Sequence, residues 1–297
     1  MGDNDIIISD TGVKAGHGID HFVLRTITLA LLSFYIVAFS GIVTDRFWVI
    51  FLGNIGYASL PLLAFLSVEA YRHSGKLTSL IVRNIIFSLL CAVPYRFAFY
   101  SEKSFSDIRS YFSLALTCFF CIGSVMFYDR MKTKNQRIFC VVFLCAISLL
   151  IHMDFALYMP IITFVIYIYL REQEGKDRAA AEKGDKERLA AVERRKYLLS
   201  NYTFIKVSYY IVTLSVVVFF VSLMFAKFAS GYKESFAGEI TRNYCMPGML
   251  LSLPFIRIYN GTKGIDNKLT RAVFRVYYLL FLVLVVMIKI FFLYDYS

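Results

Sequence analysis

The chain has 297 residues, 58% of them hydrophobic and 18% charged, with a mean hydropathy of +0.62. Soluble domains run at about 45–50% apolar and about 25% charged, so an ordinary soluble domain is excluded; the continuous apolar runs lack the period-2 alternation of an outer-membrane barrel. The net charge of +11 would suggest nucleic acid in a soluble protein. Here the Lys and Arg residues lie between apolar runs, where they set topology and meet anionic lipid headgroups, so the expected partner is the bilayer and not a nucleic acid.

Residues 1–21 are polar and acidic, with Asp3, Asp5, Asp10 and Asp20. They lack the basic start and short apolar core of a secretory signal and read as a cytoplasmic tail. Ala38-Phe39-Ser40 resembles a cleavage site, but the preceding apolar run is long, so the first helix is expected to be retained. Apolar segments follow at 22–43, 47–70, 78–99, 110–128, 138–152, 155–170, 203–226, 246–258 and 273–294. A helix needs about 20 apolar residues to cross a bilayer. The fifth, sixth and eighth segments are short, and only His152-Met153-Asp154 separates the fifth from the sixth.

The expectation is an all-α, polytopic bundle of about nine spans. Assigning the loops alternately to two sides puts about 21 Lys and Arg on one side and about 7 on the other. By the positive-inside rule the N-terminus is then cytoplasmic and the C-terminus external. The organisation reads as a tail (1–21), six spans (22–170), a charged, helical cytoplasmic loop (171–202), and three further spans (203–297). Ser59-Leu60-Pro61 and Ser252-Leu253-Pro254 echo one another; in so apolar an alphabet the echo reads as chance.

Six cysteines occur: Cys91, Cys118, Cys121, Cys140, Cys145 and Cys245. Cys118-Phe-Phe-Cys121 has metal or redox spacing but lies in an apolar run with no second pair and no His nearby, so it reads as core. No metal site is expected, and no Gly-rich phosphate loop, zinc motif or nucleophile elbow occurs.

Ionisable residues near a span are the candidates for chemistry. Glu69 and His73 close the second span four residues apart, on one helical face. A carboxylate beside one imidazole nitrogen orients the ring and raises the basicity of the other nitrogen, the arrangement of a general base. A pair that only eases the helix end out of the membrane remains open. Asp154, at the tip of the hairpin, is either a turn residue or a further candidate. The eighth segment passes into the last cytoplasmic loop through LSLPFIRIYNGTKG, from Leu251 to Gly264. Tyr259-Asn260-Gly261 there is a helix stop or a site wall, and Lys263 and Lys268 follow it.

Four stretches, LPLLAFLSVEAYRHSGK, CAVPYRFAF, HMDFALYMP and SLPFIRIYNGTKG, resemble in order and spacing the signatures of TraX proteins. That family comprises multi-span membrane proteins of conjugative elements, whose founding activity is N-acetylation of pilin. Pro61, Phe65, Glu69, Tyr71 and His73 match the second-span motif, Pro94 the third, Asp154 and Phe155 the hairpin, and Pro254, Tyr259, Asn260, Gly261 and Gly264 the late motif. The chain departs from the family at other positions. Tyr35-Ile36 stands where the family carries Asp-His, Tyr57 replaces an Arg, Ala92 a Glu, and Leu284 lies near a His position; Asp20-His21 lies before the span.

The resemblance implies an acetyl-CoA-dependent N-acetyltransferase in a bacterial cytoplasmic membrane, acting on a peptide or pilin amine. His73 would be the base, oriented by Glu69. Tyr259 and Asn260 would stabilise the oxyanion or position the thioester, and Arg72, Lys76 and Lys263 would hold the cofactor phosphates. The departures imply the alternative, a membrane scaffold or assembly protein that keeps the fold without the chemistry. Short and Pro-broken spans raise a transporter as a third reading.

Overall fold

The computed structural model describes residues 18–75, 77–100, 111–151, 155, 158–182, 200–228, 242, 244–262, 264–265 and 267–293. Asp154, Lys76 and Lys263 lie outside these residues, as do His152 and Met153 of the hairpin. The described chain is helical throughout. Its one β feature is an isolated parallel bridge between Ile19 and Tyr259.

Helix α1 (His21–Phe39) starts where Asp20 accepts a hydrogen bond from Val23 N at 2.8 Å, and it stops at Ser40 before Gly41, whose φ is +82°. Only glycine takes that conformation without steric cost. Asp45 caps α2 (Arg46–Tyr57) through Phe47 N and Trp48 N. After Ala58 the chain continues as α3 (Ser59–Arg72), with Pro61 in its first turn, where a missing N–H costs nothing. Helices α4 (Leu77–Phe99), α5 (Leu114–Arg130), α6 (Lys134–Ile151), α7 (Tyr158–Glu182) and α8 (Asn201–Phe228) follow. Helix α7 runs on past the sixth apolar segment to Glu182. A 3₁₀ segment (Met246–Ser252) then leads into α9 (Leu253–Ile258), and α10 (Lys268–Ile288) closes with a π turn (Lys289–Leu293).

Contacts between residues distant in sequence gather helix ends at two ends of the bundle. At one end Tyr71 meets Asp129, Arg72 meets Glu174, Ser200 N bonds Gln173, and Ile19 pairs with Tyr259. At the other end Arg242 lies over the rings of Phe39 and Tyr100, and Lys289 Nζ donates to Ala98 O at 3.0 Å. Four stretches are long and apolar enough to cross a membrane: His21–Phe39, Arg46–Arg72, Leu77–Phe99 and Asn201–Val221. Three shorter apolar helices accompany them: Asn135–Ile147, Met246–Ile258 and Val276–Phe291. Leu89, Leu90 and Val93 on α4, and Ile205, Val217 and Phe220 on α8, stand exposed. Such outward apolar faces suit lipid.

The eighth apolar segment, 13 residues long, packs tightly along α2. Its backbone lies on α2 so closely that a Cβ on Gly248 would stand 1.8 Å from Asn54 O. It starts beside Gly53, where Cys245 Sγ packs, and ends at Tyr259 against Phe65. The steeper rise of the 3₁₀ helix brings these 13 residues to about 23 Å. The Ser-Leu-Pro echo falls at two helix starts, α3 and α9, each with proline in the first turn.

The core is built mainly by α1, α3, α5 and α7. Gly56 lets α1 and α2 touch, since a Cβ there would lie 2.5 Å from the Tyr35 backbone. Around this contact Tyr35, Tyr57 and Phe155 form an aromatic cage, with ring centroids 5.2–5.9 Å apart. Phe155 has φ +55°, a conformation costing an L residue roughly 1–2 kcal/mol; its ring contacts offset that cost. On α4, Arg96 is almost fully buried, its guanidinium over the rings of Phe97 and Tyr111. Such cation–π contacts hold a charge without requiring water.

Candidate functional site

The last turn of α3 carries the residues of interest. Glu69 is 3% exposed. Tyr259, equally buried, donates from Oη to Glu69 Oε2 at 3.1 Å, and its ring stands edge-on to Phe65. His73 Nε2 lies 3.6 Å from the same oxygen, too long for a hydrogen bond but close enough for charge interaction. The other oxygen, Glu69 Oε1, is buried and has no hydrogen-bond partner among the described residues. Buried acceptors are normally paired; this carboxylate has one hydrogen bond, from Tyr259, and a charge contact with His73. His73 ends α3, its backbone N bonded to Glu69 O at 3.0 Å, with the side chain 38% exposed. The expected Glu69, His73 and Tyr259 therefore come together, with Tyr259 bound to the carboxylate.

Asn260 faces a different task. Its Oδ1 accepts from Thr262 N and Oγ1 at 2.9 and 2.7 Å, and its Nδ2 donates to Gly18 O at 3.3 Å. Its backbone N donates to Ile19 O, and His21 N donates to Thr262 O. These bonds clasp the entry to α1 against the YNGTKG turn. Gly261 and Gly264 have φ of +73° and +64°, and Gly264 also backs onto the Asp20 carboxylate, where a Cβ would lie 2.4 Å away. Both glycines are therefore required by backbone geometry. Asp20-His21, which precedes the first span in sequence, is thereby brought to this same end.

His73 opens onto a polar cavity of about 440 Å³, lined by Tyr71, Arg72, His73, Ser74, Leu77, Asp129, Tyr167, Arg171 and Glu174. Arg72 is paired with Glu174, and Arg171 with Asp129. Tyr71 Oη donates to the second Asp129 oxygen at 2.9 Å. Neither Tyr259 nor Asn260 lines this space. Arg72, expected to hold phosphate, already has its charge balanced by a carboxylate. Beyond the cavity, the exposed Lys176 bonds Glu172, which raises its pKa above the ordinary lysine value.

Sequence reading missed Asp129, Tyr167, Arg171 and Glu174. Asp129 was absorbed into a basic loop. Tyr167, Arg171 and Glu174 sit at positions i, i+4 and i+7 of α7 and so share one face. That periodicity was the available signal, hidden by treating residue 171 as the start of a loop.

Fold and site together define an all-helical bundle, with helices fit to cross a membrane and a charged cavity at one end beside a buried carboxylate. Set against protein-family models, curated proteins and solved structures, the chain matches none of them.

Proposed function

We propose that this protein is a TraX-like integral membrane acyltransferase of the bacterial cytoplasmic membrane, passing an acetyl group from acetyl-CoA to a peptide or pilin-like amine. The observation that supports it is His73, poised beside the buried Glu69 carboxylate and opening onto a cavity of small-molecule size. His73 takes the proton from the attacking amine. The nitrogen then bonds the thioester carbonyl carbon, the carbon–sulfur bond breaks, and the departing thiolate receives a proton from His73. Glu69 acts as a positioning residue, fixed by Tyr259. Nine membrane spans, with a cytoplasmic N-terminus and the His73 end facing the cytoplasm, complete this reading; the gathering of helix ends at two ends of the bundle and the asymmetry of Lys and Arg support it.

One observation favours the second reading, a scaffold that keeps the fold without catalysis. Tyr35, Tyr57 and Phe155 touch one another, and the first two stand where the resemblance implies Asp-His and Arg. This cage lies about 18 Å along the α2–α3 axis from Glu69. Leu284, near the remaining His position, is exposed and faces away from the core. The test is incubation of the protein in nanodiscs with acetyl-labelled CoA and peptides bearing free or blocked N-termini. Label on free amines alone supports the transferase. Background labelling, with no thermal stabilisation by acetyl-CoA, supports the scaffold.

A further inference from the structure

The cavity beside His73 carries charges of both signs in equal number. Arg72 of α3 and Arg171 of α7 supply two guanidiniums; Asp129 of α5 and Glu174 of α7 supply two carboxylates. Three helices thus converge to build a formally neutral but strongly polar wall. The carboxylate side chains are 31% and 37% exposed and that of Arg171 is 41% exposed, so a ligand can reach them; Arg72, at 11%, stands deeper in the wall.

A polyanion entering this space meets two carboxylates with its phosphates and gains little net attraction. A lone cation has the converse difficulty with the guanidiniums. A zwitterion does not. Its ammonium exchanges onto a carboxylate and its anionic group onto a guanidinium, and every charge stays paired. Charge-assisted hydrogen bonds of this kind, above all the two-pronged guanidinium–anion contact, are the strongest that polar side chains offer. Tyr71 holds Asp129 in place at 2.9 Å, so one carboxylate is preorganised. The volume of about 440 Å³ lies within the range for small ligands, roughly 300–1,000 Å³.

We infer that this cavity binds a zwitterion, a primary ammonium carried within a few atoms of a carboxylate or phosphate, with Asp129 and Glu174 taking the ammonium and Arg72 and Arg171 the anion. The inference rests on the proposed function only in treating this ligand as the acceptor amine, which would stand beside His73. The coenzyme phosphates then bind elsewhere. The same chemistry occurs in a soluble amino acid or dipeptide and in a phosphoethanolamine lipid headgroup.

The test uses the full-length protein in phosphatidylcholine nanodiscs without acetyl-CoA, titrated with glycylglycine and with phosphoethanolamine. Controls are N-acetylglycylglycine, which lacks the ammonium, and inorganic phosphate. Native mass spectrometry against phosphatidylethanolamine and phosphatidylcholine separates the lipid source from the soluble one. We expect at least one zwitterion to bind and the controls to bind at least tenfold more weakly. Glu174→Gln should weaken zwitterion binding at least tenfold and tighten phosphate binding, because Arg72 loses its internal counter-ion. Asp129→Asn, followed with its melting temperature, gives a second variant should Glu174→Gln fold poorly. A folded wild type that binds no zwitterion overturns the inference, as does weakening of both ligands by Glu174→Gln; either result makes the ion pairs mere staples between helices. Zwitterion binding without acetyl transfer sinks the transferase alone. Transfer with an unchanged amine KM in Glu174→Gln sinks this inference alone.

Discussion

Tyr259→Phe isolates one bond. The phenol donates to Glu69 Oε2 at 3.1 Å, and both residues are 3% exposed. Phenylalanine keeps the ring and its edge-on contact with Phe65 at 5.4 Å, so packing is unchanged and only the hydroxyl is lost. Glu69 then has no hydrogen bond among the described residues, with His73 at 3.6 Å as its remaining polar neighbour. A hydrogen bond to a charged group contributes about 1.5–3 kcal/mol, and an orphaned buried acceptor costs a similar amount. The expected loss of stability is therefore about 2 kcal/mol. In a Glu69→Leu background both polar partners are gone, and Tyr259→Phe should cost close to nothing. The assay is a double-mutant cycle by denaturant unfolding in a fixed detergent. A coupling of about 1.5–3 kcal/mol is expected. Equal costs in the two backgrounds would refute the claim that Tyr259 holds the carboxylate.

Two further predictions concern the bundle. Gly56→Ala drives a Cβ to 2.5 Å from the Tyr35 backbone and should destabilise the protein by about 1–3 kcal/mol. Gly123→Ala, which meets nothing within 4 Å on α5, should be neutral or stabilising by up to about 1 kcal/mol; melting temperatures of the two variants decide the matter. For orientation, a green fluorescent protein joined after Glu182 should fluoresce, and an alkaline phosphatase joined after Asp45 should be active. The reverse pattern would invert the topology.

The helices were legible because length and apolar run act locally. The Asp20 and Asp45 caps that fix two of the starts emerge from the structure. The eighth apolar segment was legible in the sequence but not as a 3₁₀ helix, since that depends on Gly248 meeting Asn54 across the bundle. The Glu69–His73 pair was visible from its spacing of four, whereas its link to Tyr259, 190 residues away, required the fold. Asn260 shows the converse limit: an amide in a suggestive motif turns out to be engaged in a turn that clasps Gly18. Tyr35, Tyr57 and Phe155 were noted separately, and only three-dimensional packing reveals them as one cage. The charged cavity was hidden because Asp129, Arg171 and Glu174 lie in stretches that composition marks as solvated loop.

The acetyl-transfer rate of His73→Ala against wild type, at matched melting temperature, tests the central claim most directly. A positioned general base contributes about 10²–10⁴-fold. The account predicts a fall of at least about a hundredfold with the protein still folded. Wild-type and His73→Ala proteins turning over at the same rate would contradict it.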